Sequence, residues 1–436
     1  MALTADVVII GGGVIGASIA HHLTARGMRE VVVIDKSFVA SGATGKSSAC
    51  VRQHYSTVET CRMIRYALDF FERFEELTGG GSCGFRRTGY LLGVDERMRP
   101  PMEISVALQR GAGIDTRLVS PDEMREIEPR LQTEDWVAGC YEPDSGYCNP
   151  VETAHGFARA ARARGARFLE DTEALGILTE GDRVTGVSTS RGPIHAPRVV
   201  NAAGLWGARV GAMVGLEIPI SVCRHKISIV SWPEAAAGPH PMVYDFVTNI
   251  YTRPELGGHI LVGGLEPEEA LDLADPDRYR EGVSLDESTE ALSRVSRRFP
   301  VLEEGRIARG YAGCFDVTPD WHPILDRVGP DGQLRGRGLL RPRLQALAGG
   351  GPDDGRPHHR RPRGPSRPRH LSALALRRGQ AHPRHLRRLA DVLRRRRSAA
   401  RGLRIGGPPR RCRTGRCVRS SGRAGTTRRA GPSCRA

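Results

Sequence analysis

The stretch Ala5-Asp6-Val7-Val8-Ile9-Ile10-Gly11-Gly12-Gly13-Val14-Ile15-Gly16 decides how this chain is read. Its first half is a short β-branched run, as a strand buried on both faces in a parallel sheet would be. The glycines come at once after it, and from Ala17 to Arg26 the apolar residues take helical spacing. Gly11 permits the tight turn, Gly13 lets a pyrophosphate approach the backbone, and Gly16 lets the helix pack close against the strand. The amides of Val14 and Ile15 then stand at a helix N-terminus, where free N–H groups and the helix dipole favour phosphate. A second strand is predicted from Glu30 to Ile34, followed by Asp35 and Lys36. An acid about 20 residues past the glycines accepts hydrogen bonds from a ribose 2′-hydroxyl and repels a 2′-phosphate. Strand, glycines, helix, strand and acid in that order predict a dinucleotide site, with FAD and NAD both open at this point.

Working outward, the 436 residues carry a formal net charge of +16, which alone suggests an acidic partner such as nucleic acid. The charge is unevenly placed. From Arg335 to Ala436 there are 30 Arg, no Lys, three acids and no Phe, Trp or Tyr, a surplus of +27, which leaves −11 on the first 334 residues. That acidic body is long enough for two domains or one large one. It shows neither a membrane-spanning run nor a secretory leader. The ten cysteines form no C-x-x-C pair or metal-type repeat, so reduced thiols, a cytoplasmic location and no metal are expected.

Past Asp35 come Ser41-Gly42-Ala43-Thr44-Gly45-Lys46-Ser47-Ser48 and Val51-Arg52-Gln53-His54-Tyr55. Further on stand Val199-Val200-Asn201-Ala202-Ala203-Gly204-Leu205-Trp206 and Gly313-Cys314-Phe315-Asp316-Val317-Thr318-Pro319-Asp320-Trp321-His322-Pro323-Ile324. In these segments the chain resembles the FAD-dependent oxidoreductases of the D-amino-acid oxidase family, especially its sarcosine oxidase and dimethylglycine dehydrogenase branch. The resemblance covers residues 1 to about 334. It implies an α/β fold: a Rossmann-type, glutathione-reductase-like FAD-binding domain with an inserted antiparallel-sheet substrate domain. The expected FAD-binding parts are 1–85, 145–222 and 305–334, and the expected substrate-domain parts are 86–144 and 223–304. Short runs at Thr88 to Val94, Ile227 to Trp232, Met242 to Phe246, Asn249 to Thr252 and His259 to Gly263 suit that sheet. Helical spacing appears at Thr57 to Leu77, Pro150 to Arg164 and Ser288 to Phe299.

The resemblance selects FAD. Ser41, Thr44, Ser47 and Ser48 belong to a hydroxyl-rich loop able to place donors on a pyrophosphate, although its composition also suits a plain solvated loop. Ala203, Gly204 and Trp206 come after a strand that passes near the flavin pyrophosphate in this family. In such enzymes a hydride equivalent leaves the carbon of a C–N bond for the flavin. Arg52 is the first candidate for holding a substrate carboxylate through paired hydrogen bonds, with pairing to a structural acid or a phosphate as the alternative. His54, His225, Tyr251 and Arg253 are further candidates. Tyr251 and Arg253 sit two apart on a predicted strand and share a face, where they line either a pocket or an ordinary sheet surface. Trp321 and His322 are expected beneath the cofactor. Gly313 stands where some relatives carry a cofactor-linking cysteine, so FAD is expected to be noncovalent. No lysine stands near Gly263-Gly264-Leu265, and the electron acceptor, oxygen or a carrier, stays open. The resemblance implies a small amino-acid or N-methyl amino-acid substrate and allows partner subunits. A D-amino-acid or proline dehydrogenase is the second reading.

The arginine-rich segment departs from the family. After Gly329-Pro330-Asp331-Gly332 the resemblance calls for a strand, G-x-S-G-H-G-F-K and a helix, the motif's lysine reaching the substrate carboxylate. With GC-rich synonymous codons shifted by one base, Gly338 to Arg360 becomes GSSGHGFKLSPAVGRMMADLITG, and Arg369 to His382 becomes DISRPLRFDEGKLI. Gln345 before Ala346 then allows only Lys or Arg, and Asp353 before Asp354 only Met or Thr. Residues 335–436 are therefore expected to be out-of-frame coding, which would cost the last FAD-domain strand and leave activity doubtful. The rival is a disordered basic tail that binds nucleic acid through phosphates. Its lack of aromatics removes any base-stacking platform, and nucleic acid is not the expected partner.

Overall fold

The computed structural model describes residues 3–181, 183–265 and 272–327, together with the backbone of Leu334–Gly336, all within the unit Met1–His359. The out-of-frame expectation therefore falls almost wholly outside the described residues.

The opening stretch folds as its glycines predict. Val7–Ile10 forms a strand flanked in parallel by Val31–Ile34 on one side and Val199–Asn201 on the other. Arg167–Leu169 and Leu334–Gly336 complete a five-stranded parallel sheet as its edges. The fifth strand, expected to be lost with the change of frame, is thus present in the backbone, with Val199 opposite Leu334 and Asn201 opposite Gly336. Successive side chains of a strand point to opposite faces, and here both faces are covered. Val7, Ile9, Val31 and Val33 pack with Ala17, Ala20 and Phe157 of the helices Val14–Ala25 and Pro150–Ala163. Val8, Ile10, Val32 and Ile34 pack with Ile177, Val187 and Ile194 of a separate four-stranded sheet.

An eight-stranded sheet holds every strand predicted for the substrate domain. Its order is Arg306–Val317, Ser221–Ser231, His259–Gly264, Ile250–Glu255, Met242–Asp245, Tyr90–Val94, Ala138–Glu142 and Arg117–Val119. All neighbours are antiparallel except Tyr90–Val94 and Met242–Asp245, which run parallel. Arg306–Val317, in the segment expected to rejoin the FAD-binding domain, pairs along nearly all of Ser221–Ser231. One sheet face packs on the helix Leu285–Arg298 through Val230, Ile250, Val262, Val295 and Phe299. The other carries Tyr90, Tyr244 and Tyr251, with Cys50 packed against that cluster. The helical run predicted from Thr57 divides into Val58–Glu72 and Phe74–Thr78, with Arg73 at a non-helical φ of −106° between them.

Candidate functional site

The glycine turn leaves no room for side chains. Gly11 has φ 112°, and a Cβ there would lie 2.4 Å from the Ala202 carbonyl oxygen. A Cβ on Gly16 would meet the Gly11 carbonyl oxygen at 1.9 Å. Gly13 caps the helix with extended backbone and supplies no side-chain hydrogen bond of its own to the first-turn amides. The hydroxyl-rich loop closes onto this turn, since Thr44 Oγ1 accepts from the Val14 amide at 3.1 Å. Asp35 accepts from the Gly12 amide at 2.7 Å and the Ser37 amide at 2.8 Å. Burial raises its carboxyl above the ordinary value, against the pull of those amides. A helix N-terminus that Thr44 caps at Val14, a turn that admits only glycine and a fixed acid at the end of the second strand fit a dinucleotide.

The other predicted cofactor residues surround that turn. Gly204 has φ 50°, and the Ala203 amide donates to Asn201 Oδ1 at 3.2 Å. The Trp206 ring lies against the loop, where a Cβ on Gly42 would meet it at 3.5 Å. Lys36 stands 4.0 Å over that ring. Asp277, which the sequence reading missed, accepts from Lys36, from Trp206 Nε1 at 3.0 Å and from Arg209. Burial works against its charge, but these three donors outweigh it and hold the carboxyl down at about 2. The same segment gives Tyr279 and Glu281 to Lys46. Within the loop, the Ser41 amide donates to the Phe38 carbonyl at 3.1 Å, and Ser47 Oγ accepts from the Ala49 amide at 3.0 Å.

Ser48 leads from this loop to the aromatic face of the large sheet. Its carbonyl accepts from Arg253 Nε at 2.6 Å, and its side chain hydrogen-bonds Tyr251. Arg253 also pairs with Glu255 at 2.9 Å and covers the Tyr147 ring at 4.7 Å, so it clamps the loop to the sheet. Tyr251 shares Arg253's face, and its hydroxyl lies 2.9 Å from His225 Nε2. Gly263 makes room for this ring, since a Cβ there would meet it at 2.4 Å. His225 stacks on Phe315 at 4.1 Å, Tyr251 on Tyr244 at 5.2 Å, and Tyr244 packs with Tyr90 at 4.9 Å. Burial raises the Tyr251 and Tyr90 hydroxyls well above their ordinary range, keeping them neutral donors.

Arg52 enters the far end of this aromatic row. Its guanidinium lies 4.7 Å from the Tyr55 ring centre, 5.5 Å from Tyr244 and 5.9 Å from Tyr90, and it donates to the His54 carbonyl. Burial opposes its charge, but Tyr55, Tyr90, Tyr244 and Glu142 reverse that and raise its proton affinity. Beside it lies a buried polar cluster. His54 Nδ1 is 3.2 Å from Gln109 Nε2, 3.4 Å from Cys140 Sγ and 3.7 Å from Glu142 Oε1. Glu142, 0% exposed, takes the Gln53 amide at 2.8 Å and the Ser145 hydroxyl at 2.7 Å on Oε2. Burial pushes this carboxyl up to about 7 despite those bonds and the charge of Arg52. Glu142 Oε1, Gln109 Oε1 and Gln53 Nε2 have no hydrogen-bond partner.

The structure thus gathers Arg52 with His54, and His225 with Tyr251, at two points of one aromatic row, while Arg253 joins the sheet to the loop. Trp321 takes a positive φ of 60° and is 41% exposed. Glu142, Tyr90, Tyr244, Gln109 and Asp277 were missed. Sequence offers no signal for Glu142 beyond its place before the turn residues Pro143 to Gly146, because burial of a single strand-end acid is a tertiary property. The described cysteines are free, and among the described residues no cluster of His, Cys, Asp or Glu could hold a metal. Among the described residues no helix is long and apolar enough to cross a membrane.

Known proteins resemble this chain in sequence and fold. Human mitochondrial sarcosine dehydrogenase is 30% identical over 342 residues, 76% of this chain and 37% of that protein. The sarcosine oxidase beta subunit of an Arthrobacter species is 27% identical over 336 residues, 74% of this chain and 79% of its own length. Among solved structures, L-proline dehydrogenase from P. horikoshii superimposes with a TM-score of 0.72 at 28% identity, over 80% of this chain and 92% of that one. The chain spans less than half the length of the mitochondrial dehydrogenases it resembles. Residues 6–351 match the model of the FAD dependent oxidoreductase family, and with the glycine turn and its acid in place the chain belongs to that family and takes FAD as its cofactor.

Proposed function

We propose that the protein oxidises the C–N bond of a small amino acid or N-methyl amino acid of the sarcosine type. The observation that carries this reading is Arg52. It is a charged guanidinium held among three tyrosine rings, on the sheet face that also meets the hydroxyl-rich loop. A planar guanidinium takes a carboxylate through two parallel hydrogen bonds, and aromatic walls exclude the water that would compete for it.

FAD would be held by Gly11, Gly13, Val14, Ile15, Gly16 and Asp35, with Lys36, Ser41, Thr44, Ser47, Ser48, Ala203, Gly204 and Trp206 around them, and its flavin accepts the two electrons of the substrate bond. The chain's own part is binding and orientation. Arg52 fixes the carboxylate end of the substrate. Tyr251, neutral and bonded to His225, offers a hydroxyl that orients the amine or shares its proton. Arg253 keeps the loop and the sheet face in register. The similarity to L-proline dehydrogenase supports a cyclic secondary amine as the second reading. The test is an anaerobic absorbance titration of the flavin-loaded protein. Bleaching by sarcosine supports the first reading, bleaching by proline alone supports the second, and bleaching by neither defeats both.

A further inference from the structure

We infer that Glu142 is a positioning residue that sets the strength of the Arg52 carboxylate site by taking up a proton when the substrate's carboxylate arrives. The inference rests on the reading of Arg52 given above. Gln53 and His54 both reach Glu142, which also feels the charge of Arg52. The Gln53 amide bonds one carboxylate oxygen, and His54 lies 3.7 Å from the other. That second oxygen has no hydrogen-bond partner although the side chain is fully buried. An anionic carboxylate with one bare oxygen in such surroundings is costly, and a protonated one is much less so. The carboxyl accordingly changes charge close to neutrality.

Apart from His54, the titratable groups facing Glu142 keep their state there. Arg52 stays charged. Tyr90 from the neighbouring strand, Cys140 from Glu142's own strand and Cys61 from the helix Val58–Glu72 are all raised, so they stay neutral. His54 is the remaining group, and the experiment separates it. Ionised Glu142 cancels part of the Arg52 charge and competes with an incoming carboxylate. Protonated Glu142 leaves the guanidinium to the substrate. Binding and protonation are therefore coupled, the proton coming from solvent.

The experiment uses the flavin-loaded protein and acetate, which has no amine and stays ionised from pH 6 to 8.5, with the flavin absorbance reporting occupancy. Acetate affinity is expected to fall about tenfold across that range in wild type, as one unit of coupling requires, and to stay level in Glu142→Gln. Equal pH dependence in both proteins overturns the inference. So does a dependence that survives in Glu142→Gln but vanishes in His54→Asn. A second readout needs no ligand. The infrared carbonyl band of a buried protonated carboxyl should disappear as pH rises through about 7, and its absence from wild type overturns the role of Glu142 alone. If acetate changes the flavin spectrum at no pH while that band is present, the Arg52 site falls, and this inference with it. Should Glu142→Gln not fold, Glu142→Asp keeps the charge change, and the wild-type band still decides.

Discussion

His54 Nδ1 lies 3.7 Å from Glu142 Oε1, in a cluster where the carboxylate is fully buried and held by the Gln53 amide and the Ser145 hydroxyl. The pair sits beside the charge of Arg52, yet burial dominates and raises the acid from 4.5 to about 7. Folding thus favours the protonated form, and that has a consequence for stability.

Between pH 4.5 and about 7 the folded chain binds a proton at Glu142 that the unfolded chain has released, so this group's contribution to stability falls as pH rises through that window. The shift corresponds to at most about 3 kcal/mol. Glu142→Gln mimics the protonated acid. Its thermal midpoint should match wild type at pH 5 and exceed it at pH 8. A variant less stable than wild type at pH 8 would mean that pairing with Arg52 outweighs burial.

Arg52 and Arg253 are both near the aromatic face but have different partners, Arg52 the Tyr55, Tyr90 and Tyr244 rings and Arg253 the loop and Glu255. Losing a charge-assisted contact to substrate costs roughly 1.5–3 kcal/mol, or about 10- to 100-fold in kcat/KM. Arg52→Met should show that loss mainly in KM with flavin content intact. Arg253 is bound to Ser48 and Glu255. Arg253→Met should instead lower flavin content and thermal stability, with a smaller change of KM in the protein that retains flavin. The opposite pattern would exchange the two roles.

Gly11 takes φ 112°, and its Cβ position is filled by the Ala202 carbonyl. Gly11→Ala must move one of two adjacent parallel strands, so the purified variant should be nearly colourless and melt lower than wild type. A yellow Gly11→Ala protein of unchanged melting temperature would show that the turn has slack.

These contrasts mark how far the sequence could be read. The Val7–Ile10 strand, the glycine turn and Asp35 were legible because each depends on neighbours in the chain: alternation, the positive φ of a tight turn, and spacing. The substrate-domain strands were legible for the same reason, although Ile227 to Trp232 lies within the longer strand Ser221–Ser231. Arg52 came from the resemblance and Tyr251 from its place two residues before Arg253 on a predicted strand, and neither source gave their surroundings. Tyr90 and Tyr244 meet Arg52 only because the strands Tyr90–Val94 and Met242–Asp245 pair in parallel. No local pattern distinguishes that pairing from an antiparallel one.

Asp277 gathers Lys36, Trp206 and Arg209 onto one carboxylate that is 37% exposed. Solvent screens such pairs, so their joint contribution is about 1 kcal/mol or less. Asp277→Ala should barely move the melting temperature, but it frees both Lys36 and the Trp206 indole. Faster proteolytic cleavage near residue 277, with Trp206 fluorescence more accessible to quencher, would mark Asp277 as the catch of this segment. Unchanged cleavage and quenching would mean that Tyr279 and Glu281 suffice through Lys46.

The last prediction concerns the coding of the arginine-rich segment. The parallel sheet is complete in its backbone at Gly336, and the abnormal composition begins at Arg335, so the two reading frames differ chiefly in the residues after the last strand. In the shifted frame those residues spell a glycine-rich turn with a lysine, which the family resemblance would place on the substrate carboxylate. In the frame as written they are rich in arginine, proline and glycine and include no Phe, Trp or Tyr. Resequencing the DNA for residues 333–338 is expected to reveal one base gained or lost. A frame-corrected protein should then bind flavin more tightly and bind acetate more strongly than the present chain. Peptides from residues 337–436 in the natural protein would instead establish the basic segment as real, and its phosphate-binding charge would then need its own account.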